Sequence, residues 1–377
     1  MRLGDICSKI GSGATPRGGK EAYSASGIPI IRSQNVLDWS FSSNGLAYLN
    51  DEQARTLSNV EVHQGDILLN ITGDSVARAC IVPSDVIPAR VNQHVAILRP
   101  KEKANATFIL AWLQTNKDLL LKLASSGATR NALTKRMLEG LDINLPSIDI
   151  QNHIAALISL IQSKINLNIK LNGYLLELAT TRFEQALFKS NRVVRLGDIV
   201  KLEDSKRVPL NSRDRDARKG PYPYYGATSI MDYVDDYLFD GIRVLLGEDG
   251  SVIDESGRPI LQYVWGKYWV NNHAHILAAA SDYSLEAIYI ALQRTPISHI
   301  VTGAVQRKIS QRNLNKLKLE MPDAKSLEYL QDIFAAYRCN CEENRGLVSL
   351  RDALLPKLMS GEIDVSKIDV AQLNSHL

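Results

Sequence analysis

Apolar positions alternate in steps of four and three through the middle of the chain. They are Ile154, Ile158, Ile161 and Ile165, then Asn168 and Asn172, then Leu175, Ala179, Arg182 and Ala186. This is the heptad seam of a coiled coil, and it predicts one helix over 150–188. A seam this long cannot bury itself, so it calls for a second helix. The chain supplies one near its end, with steps of three and four through Leu327, Leu330, Phe334, Tyr337, Cys341, Asn344, Val348, Arg351, Leu355 and Leu358. Both seams turn polar in the same zone, at Asn168 and Asn172 in one and Asn344 and Arg351 in the other. Asparagine at a seam position costs stability and fixes register. The plainer alternative is that each helix covers only its own domain.

Outside the helices the pattern shortens to strands and turns. Strands are predicted at Ile28–Ile31, 66–71 and 95–98, and again at 244–246, 260–264 and 274–277. Helices are predicted at 107–124 and 285–293. These halves repeat each other. Arg2-Leu3-Gly4-Asp5-Ile6 recurs as Arg195-Leu196-Gly197-Asp198-Ile199. Val91-Asn92-Gln93-His94 recurs as Val270-Asn271-Asn272-His273, and Gly127-Ala128 as Gly303-Ala304. The offset between matched points falls from 193 to 179 to 176 while their order holds. One unit has therefore been duplicated, with intervening stretches of different length, and a period this long means tandem domains. The expected division is a first globular domain over 1–146, a helix over 147–190, a second globular domain over 191–322, and a helix with tail over 323–377. The fold class is α+β.

Composition narrows the classes. The chain has 377 residues, 45% hydrophobic and 23% charged, with a net charge of +3. Those are the values of an ordinary soluble protein with two or three domains. Cys7, Cys80, Cys339 and Cys341 lack metal-ligand spacing and fit reduced thiols. No signal-peptide core or membrane-length apolar run is present, so the expected location is cytoplasmic.

The cations cluster in loops. Arg17 and Lys20 lie in the glycine-rich stretch 11–20, and Arg32, Gln34 and Asn35 follow a predicted strand. Arg130, Asn131 and Lys135 form a basic turn, matched in the second half by Arg307, Lys308 and Arg312. Lys206, Arg207, Arg213, Arg215, Arg218 and Lys219 lead into Tyr222 and Tyr224. Arginine and lysine neutralise phosphate, while arginine reads guanine and carboxamides read adenine by paired hydrogen bonds. These residues are the DNA-binding candidates. Any one such loop also suits an ordinary solvated surface, and it is their recurrence in both halves that favours DNA.

Catalytic motifs are missing. There is no phosphate loop ending Gly-Lys-Ser/Thr and no third glycine of a dinucleotide fingerprint after Gly11-Ser12-Gly13. Glu248, Asp249, Asp254 and Glu255 could bind a cation, but a polar hairpin turn is the better reading. His273 and His275, two apart, could face a metal, but with no third ligand they read as packed strand histidines. No catalytic residue and no metal site is expected.

The whole pattern resembles the specificity subunit of type I restriction-modification enzymes. Leu3-Gly4-Asp5-Ile6 with Ser12-Gly13-Ala14-Thr15-Pro16, Leu145-Pro146 leading to Gln151, and the stretch 351–362 (RDALLPKLMSGE) carry the likeness. The second half departs from it, because no Ser-Gly-x-Thr-Pro follows its Leu-Gly-Asp-Ile. The resemblance implies two target-recognition domains, each reading one half of a bipartite double-stranded DNA site. It implies an antiparallel helix pair that spaces them and docks two methyltransferase subunits and restriction/translocase subunits. S-adenosylmethionine, ATP and Mg would reside in those partners, and this chain would be non-catalytic. A stand-alone DNA-binding regulator and a coiled-coil scaffold without nucleic acid remain alternatives.

Overall fold

In the computed structural model the repeat seen in the sequence becomes a repeat of sheet topology. Residues 1–16, 18, 22–125, 131–303 and 306–367 are described. They fall into two units, Met1–Asn168 with Glu343–Leu377, and Ile169–Glu342.

Unit 1 holds β1 (Cys7–Ser12), β2 (Ile28–Ile31), β3 (Ala47–Leu49), β4 (Glu61–Val62), β5 (Ile67–Asn70), β6 (Ala79–Ile81), β7 (Ala89–Val91) and β8 (Val95–Pro100). They form two four-stranded sheets, ordered β1-β8-β5-β6 and β3-β2-β7-β4. Alternate residues of a strand face opposite ways, and here both faces are buried. Ile67, Leu69, Ala96 and Leu98 enter one core, with Phe108, Ile109 and Trp112. Leu68, Val95 and Ile97 enter another, with Ile30, Ile31 and Val91 from the second sheet. That is why these strands read as continuous apolar runs instead of alternating ones.

Unit 2 opens with β9 (Arg192–Arg195) and continues with β10 (Val200–Leu202), β11 (Lys219–Tyr225), β12 (Ile230–Val234), β13 (Phe239–Asp240), β14 (Arg243–Gly247), β15 (Leu261–Val264), β16 (Lys267–Val270) and β17 (Ala274–Ala279). Its two four-stranded sheets run β10-β17-β14-β15 and β12-β11-β16-β13. Every strand of unit 1 is thus answered by the one nine places later. Even the parallel pair matches, β2 with β7 and β11 with β16. Caps match as well. Asn105 Oδ1 accepts from Phe108 N and Ser284 Oγ from Ala287 N, opening the equivalent helices Ala106–Thr115 and Leu285–Arg294. The helix expected over 107–124 breaks at Asn116, whose side chain turns back onto Trp112 O at 2.9 Å, and Lys117–Ser125 restarts as a separate helix.

Two long helices, Ile148–Lys189 and Tyr329–Ser360, lend one half of each to each unit. In unit 1, Ile154, Ile158, Leu355 and Leu358 share a core, and Ile161 and Ile165 are buried. Gln162 Oε1 accepts from Arg351 Nη1 at 2.9 Å, and Asn168 Nδ2 donates to Asn344 Oδ1 at 2.9 Å and to Glu343 Oε2 at 2.7 Å. In unit 2, Asn172 accepts from Asn340 Nδ2 at 2.8 Å, while Ala179 and Phe183 pack with Leu330 and Phe334. Numbers rise on one helix as they fall on the other, so each pairing is antiparallel. The polar seam positions satisfy one another, as buried amides must. Leu175, Tyr337 and Val348 are only half-buried.

Candidate nucleic-acid interface

Several loops of unit 1 meet at one end of its sheets. β1 ends there at Ser12, and Gly13 N donates to Asn92 O and Val95 O, both at 3.1 Å. A Cβ on Gly13 would fall 1.8 Å from Val91 O, so only glycine lets the Ser-Gly-Ala-Thr-Pro loop lie this close. β2 runs out into Arg32, Ser33 and Gln34, and β5 into Thr72, Gly73 and Asp74. Between β7 and β8 sits a turn at 92–94. Asn92 Oδ1 accepts from His94 N at 3.0 Å, and Ile71 N donates to His94 O at 3.0 Å. His94 Nδ1 lies 2.6 Å from Thr72 Oγ1. Leu133 N donates to Ile71 O, and Ala132 bridges Thr72, which brings Asn131 to the same rim.

Unit 2 builds the same rim with other side chains. Asn271 Oδ1 accepts from His273 N at 2.8 Å, Glu248 N donates to His273 O at 2.8 Å, and His273 Nδ1 lies 2.7 Å from Asp249 Oδ1. Ile309 N donates to Glu248 O, and Lys308 bridges Asp249, setting Arg307 and Lys308 where unit 1 has Asn131 and Ala132. The stretch after β11 is Gly226, Ala227, Thr228 and Ser229, which line a shallow cleft of about 400 Å³ with Met231, Ser251 and His273.

A profile of the type I restriction modification DNA specificity domain matches residues 1–175 and 189–337, most of the chain. The chain belongs to the type I restriction-modification specificity family. It is similar to the type I restriction enzyme MjaIX specificity subunit of Methanocaldococcus jannaschii, 22% identical over 411 aligned positions that take in 97% of this chain and 94% of that one. A 127-residue stretch is 30% identical to a putative type I restriction enzyme specificity subunit of Haemophilus influenzae, covering 34% of this chain and 32% of that protein. Among solved structures it is similar to the S subunit of a type I restriction-modification system from M. genitalium, with a TM-score of 0.57, 15% identity and 95% of each chain covered. That likeness speaks for the fold alone. A specificity subunit determines the DNA target within its complex and is not the catalytic part, in keeping with the missing motifs.

The candidate residues of this specificity subunit do not all stand at the rims. Arg17, Lys20 and Arg130 lie outside the described residues. Arg32 is half-buried, hydrogen-bonded to Gly45 O and stacked 5.5 Å from the Tyr23 ring, and exposed Gln34 donates to the same carbonyl at 3.2 Å. Asn35 is fully buried. Its Nδ2 donates to Ser42 O and Asn44 O, and its Oδ1 accepts from Arg32 N. Its polar atoms are used inside the loop, so it shapes the rim and offers nothing to a base. Asn131 is exposed, while Lys135 pairs with Glu139 at 3.5 Å in a short helix packed on Leu3–Ile6.

In unit 2 acidic partners take up most of the basic segment. Arg215 and Lys219 pair with Asp232 at 3.3 and 2.8 Å, Arg218 pairs with Asp235 at 2.9 Å, and Lys206 pairs with Glu203 at 2.6 Å. Lys219 begins β11, at the opposite end from Gly226. Tyr224 is buried with its hydroxyl on Leu210, and Tyr222 packs 5.1 Å from the Tyr237 ring. Arg213, Arg307, Lys308 and Arg312 are exposed.

Arg207 is a strap beneath the rim. It bonds Glu248 Oε2 at 2.6 Å and the carbonyls of Asn272 and Ala274 at 3.2 and 2.8 Å. Beside it, fully buried His275 places Nδ1 2.6 Å from Asp204 Oδ2 and donates from Nε2 to Ile309 O at 2.8 Å. Among the described residues, the ligand-type atoms of Asp204, Glu248 and His275 come within 4.8 Å of one another. Both ring nitrogens are already engaged, however, and Arg207 and Lys308 supply positive charge. The trio is a satisfied charge cluster. Burial pushes the Asp204 carboxyl up, but hydrogen bonds from His275 and Ile276 N with the Arg207 charge outweigh it and hold it below the usual range. The same balance, led by burial and overturned by Arg207, holds Glu248 down. His273, expected on the strand with His275, belongs instead to the turn before β17. Burial pushes the thiols of Cys7 and Cys80 up to about 12, which leaves both inert.

Proposed function

We propose that each unit reads one half of a bipartite DNA site with its rim. The observation that carries this is the recurrence of one rim scaffold with different side chains at its tips: Gln34, Thr72 and Asn131 in unit 1 become Thr228, Asp249 and Arg307 in unit 2. A fixed frame with changed tips is what two independent readers of different half-sites require. The helix pair sets the spacing between half-sites. The exposed stripe Leu171, Tyr174 and Leu178 of unit 2, at heptad steps, suits a helix of a methyltransferase subunit. Two such subunits and the restriction/translocase subunits carry S-adenosylmethionine, ATP and Mg, and the assembly works in the cytoplasm. No described helix is long and apolar enough to cross a membrane.

The test is selection of bound duplexes from a randomised library, with adenine methylation mapped across the genome with and without this chain. A split motif that is selected in vitro and vanishes from the methylome without the chain is the expected result. A motif bound but never methylated would make the chain a stand-alone regulator. No motif at all would refute DNA recognition.

A further inference from the structure

We propose that Gln93 and Asn272, at equivalent tips of the two rims, each read an adenine in their own half-site. The inference rests on the proposed function and names the base contact within it.

The repeated Val-Asn-x-His segment leaves its last three residues outside any strand or helix in both units. Its first asparagine is structural in both. Asn92 N donates to Ile31 O and Asn271 N to Tyr225 O, both at 3.0 Å, and each Oδ1 ties down the histidine backbone. The histidine is structural too, held to Thr72 in one unit and Asp249 in the other. Between two pinned neighbours, residue x is lifted out of the turn, and Gln93 and Asn272 are both exposed. Neighbouring rim positions change chemistry between units, Gln34 to Thr228, Thr72 to Asp249 and Asn131 to Arg307. At x both units keep a carboxamide.

A carboxamide presents a donor and an acceptor side by side. That pair matches N7 and the N6 amino group of adenine in the major groove, and it matches no other base edge there as well. Gln93 Nε2 donates to His94 Nε2 at 3.2 Å, which orients the group while leaving Oε1 and the second N–H free. In unit 2 the turn is stiffened from below, where Arg207 holds the Asn272 carbonyl. A group held on a rigid turn loses little entropy when it pairs with a base.

The experiment uses the full chain and the variants Gln93→Ala and Asn272→Ala. Both positions are exposed, and unchanged thermal melting would establish that the variants fold. Library selection should show each variant losing its preference for adenine at one position of one half-site. The loss should be about tenfold, or about 1.4 kcal/mol. Replacing that adenine by 7-deazaadenine, which lacks the N7 acceptor, should weaken wild-type binding about tenfold and leave the matching variant unaffected. The inference is overturned if the variants select the wild-type motif, if the relaxed position is not an A·T pair, or if 7-deazaadenine weakens wild type and variant alike. A wild-type chain that selects no motif would overturn the proposed function along with it, whereas any of the other three results would leave that function standing.

Discussion

Replacing Asp204 by Asn should weaken unit 2 by about 3 kcal/mol. The carboxylate accepts from His275 Nδ1 and Gln311 Nε2, both at 2.6 Å, and from Ile276 N at 2.9 Å. Asparagine keeps the shape and the bond to Ile276, but it turns an NH₂ towards the other two donors. A hydrogen bond to a charged group contributes about 1.5–3 kcal/mol, and breaking a buried pair on one side costs about 3–5 kcal/mol. Because the two side chains share one hydrogen bond, His275→Ala should cost less in the Asp204→Asn background than alone, a coupling of about 1–2 kcal/mol. Hydrogen exchange of peptides covering β17 measures the opening free energy in each variant.

The pH dependence follows from the same group. The folded carboxyl sits below its unfolded value, so its stabilisation is complete above about pH 4 and is lost as pH falls through the folded value. Between about pH 5 and about pH 3 the Asp204→Asn variant should therefore lose less stability than wild type. A cost under about 1 kcal/mol, or strict additivity with His275→Ala, would refute the hydrogen-bond account.

Three further outcomes are expected. Gly13→Ala, whose Cβ would meet Val91 O at 1.8 Å, should destabilise unit 1 by at least about 1–3 kcal/mol and raise exchange in β7 and β8 with no change in unit 2. Changing Arg307 and Lys308 together to Ala should reduce the slope of log affinity against log salt by up to about 1.8, about 0.9 for each phosphate no longer neutralised, as read by titration at several salt concentrations. Inserting one heptad into each long helix at matched heights adds about 10 Å and should lengthen the preferred spacer by roughly 3 base pairs, as scored by selection from duplexes of varied spacing.

Periodicity survives without a partner in view, and so the sequence alone determined the two long helices, six of the strands and the duplication, while at one seam position it chose exposed Arg182 where Phe183 is the residue buried. Ile154 to Ala186 spells a helix face because the spacing follows from helix geometry. Strand alternation was hidden where both faces of a sheet are buried, as at Ile67, Leu68 and Leu69, yet the unbroken apolar run still marked a strand. The functional face depended on choices made between distant segments. Arg215, Arg218 and Lys219 read as free cations until the hairpin carrying Asp232 and Asp235 folds back on them. Asn35 reads as a base reader until its loop closes around it. Gln93 and Asn272 gain their prominence only because the residues on either side are pinned by strands and turns far away in the chain. Charge and hydrogen-bonding capacity are properties of a residue, but whether they are spent inside the protein or offered outward is decided by which neighbours tertiary structure brings within hydrogen-bonding reach.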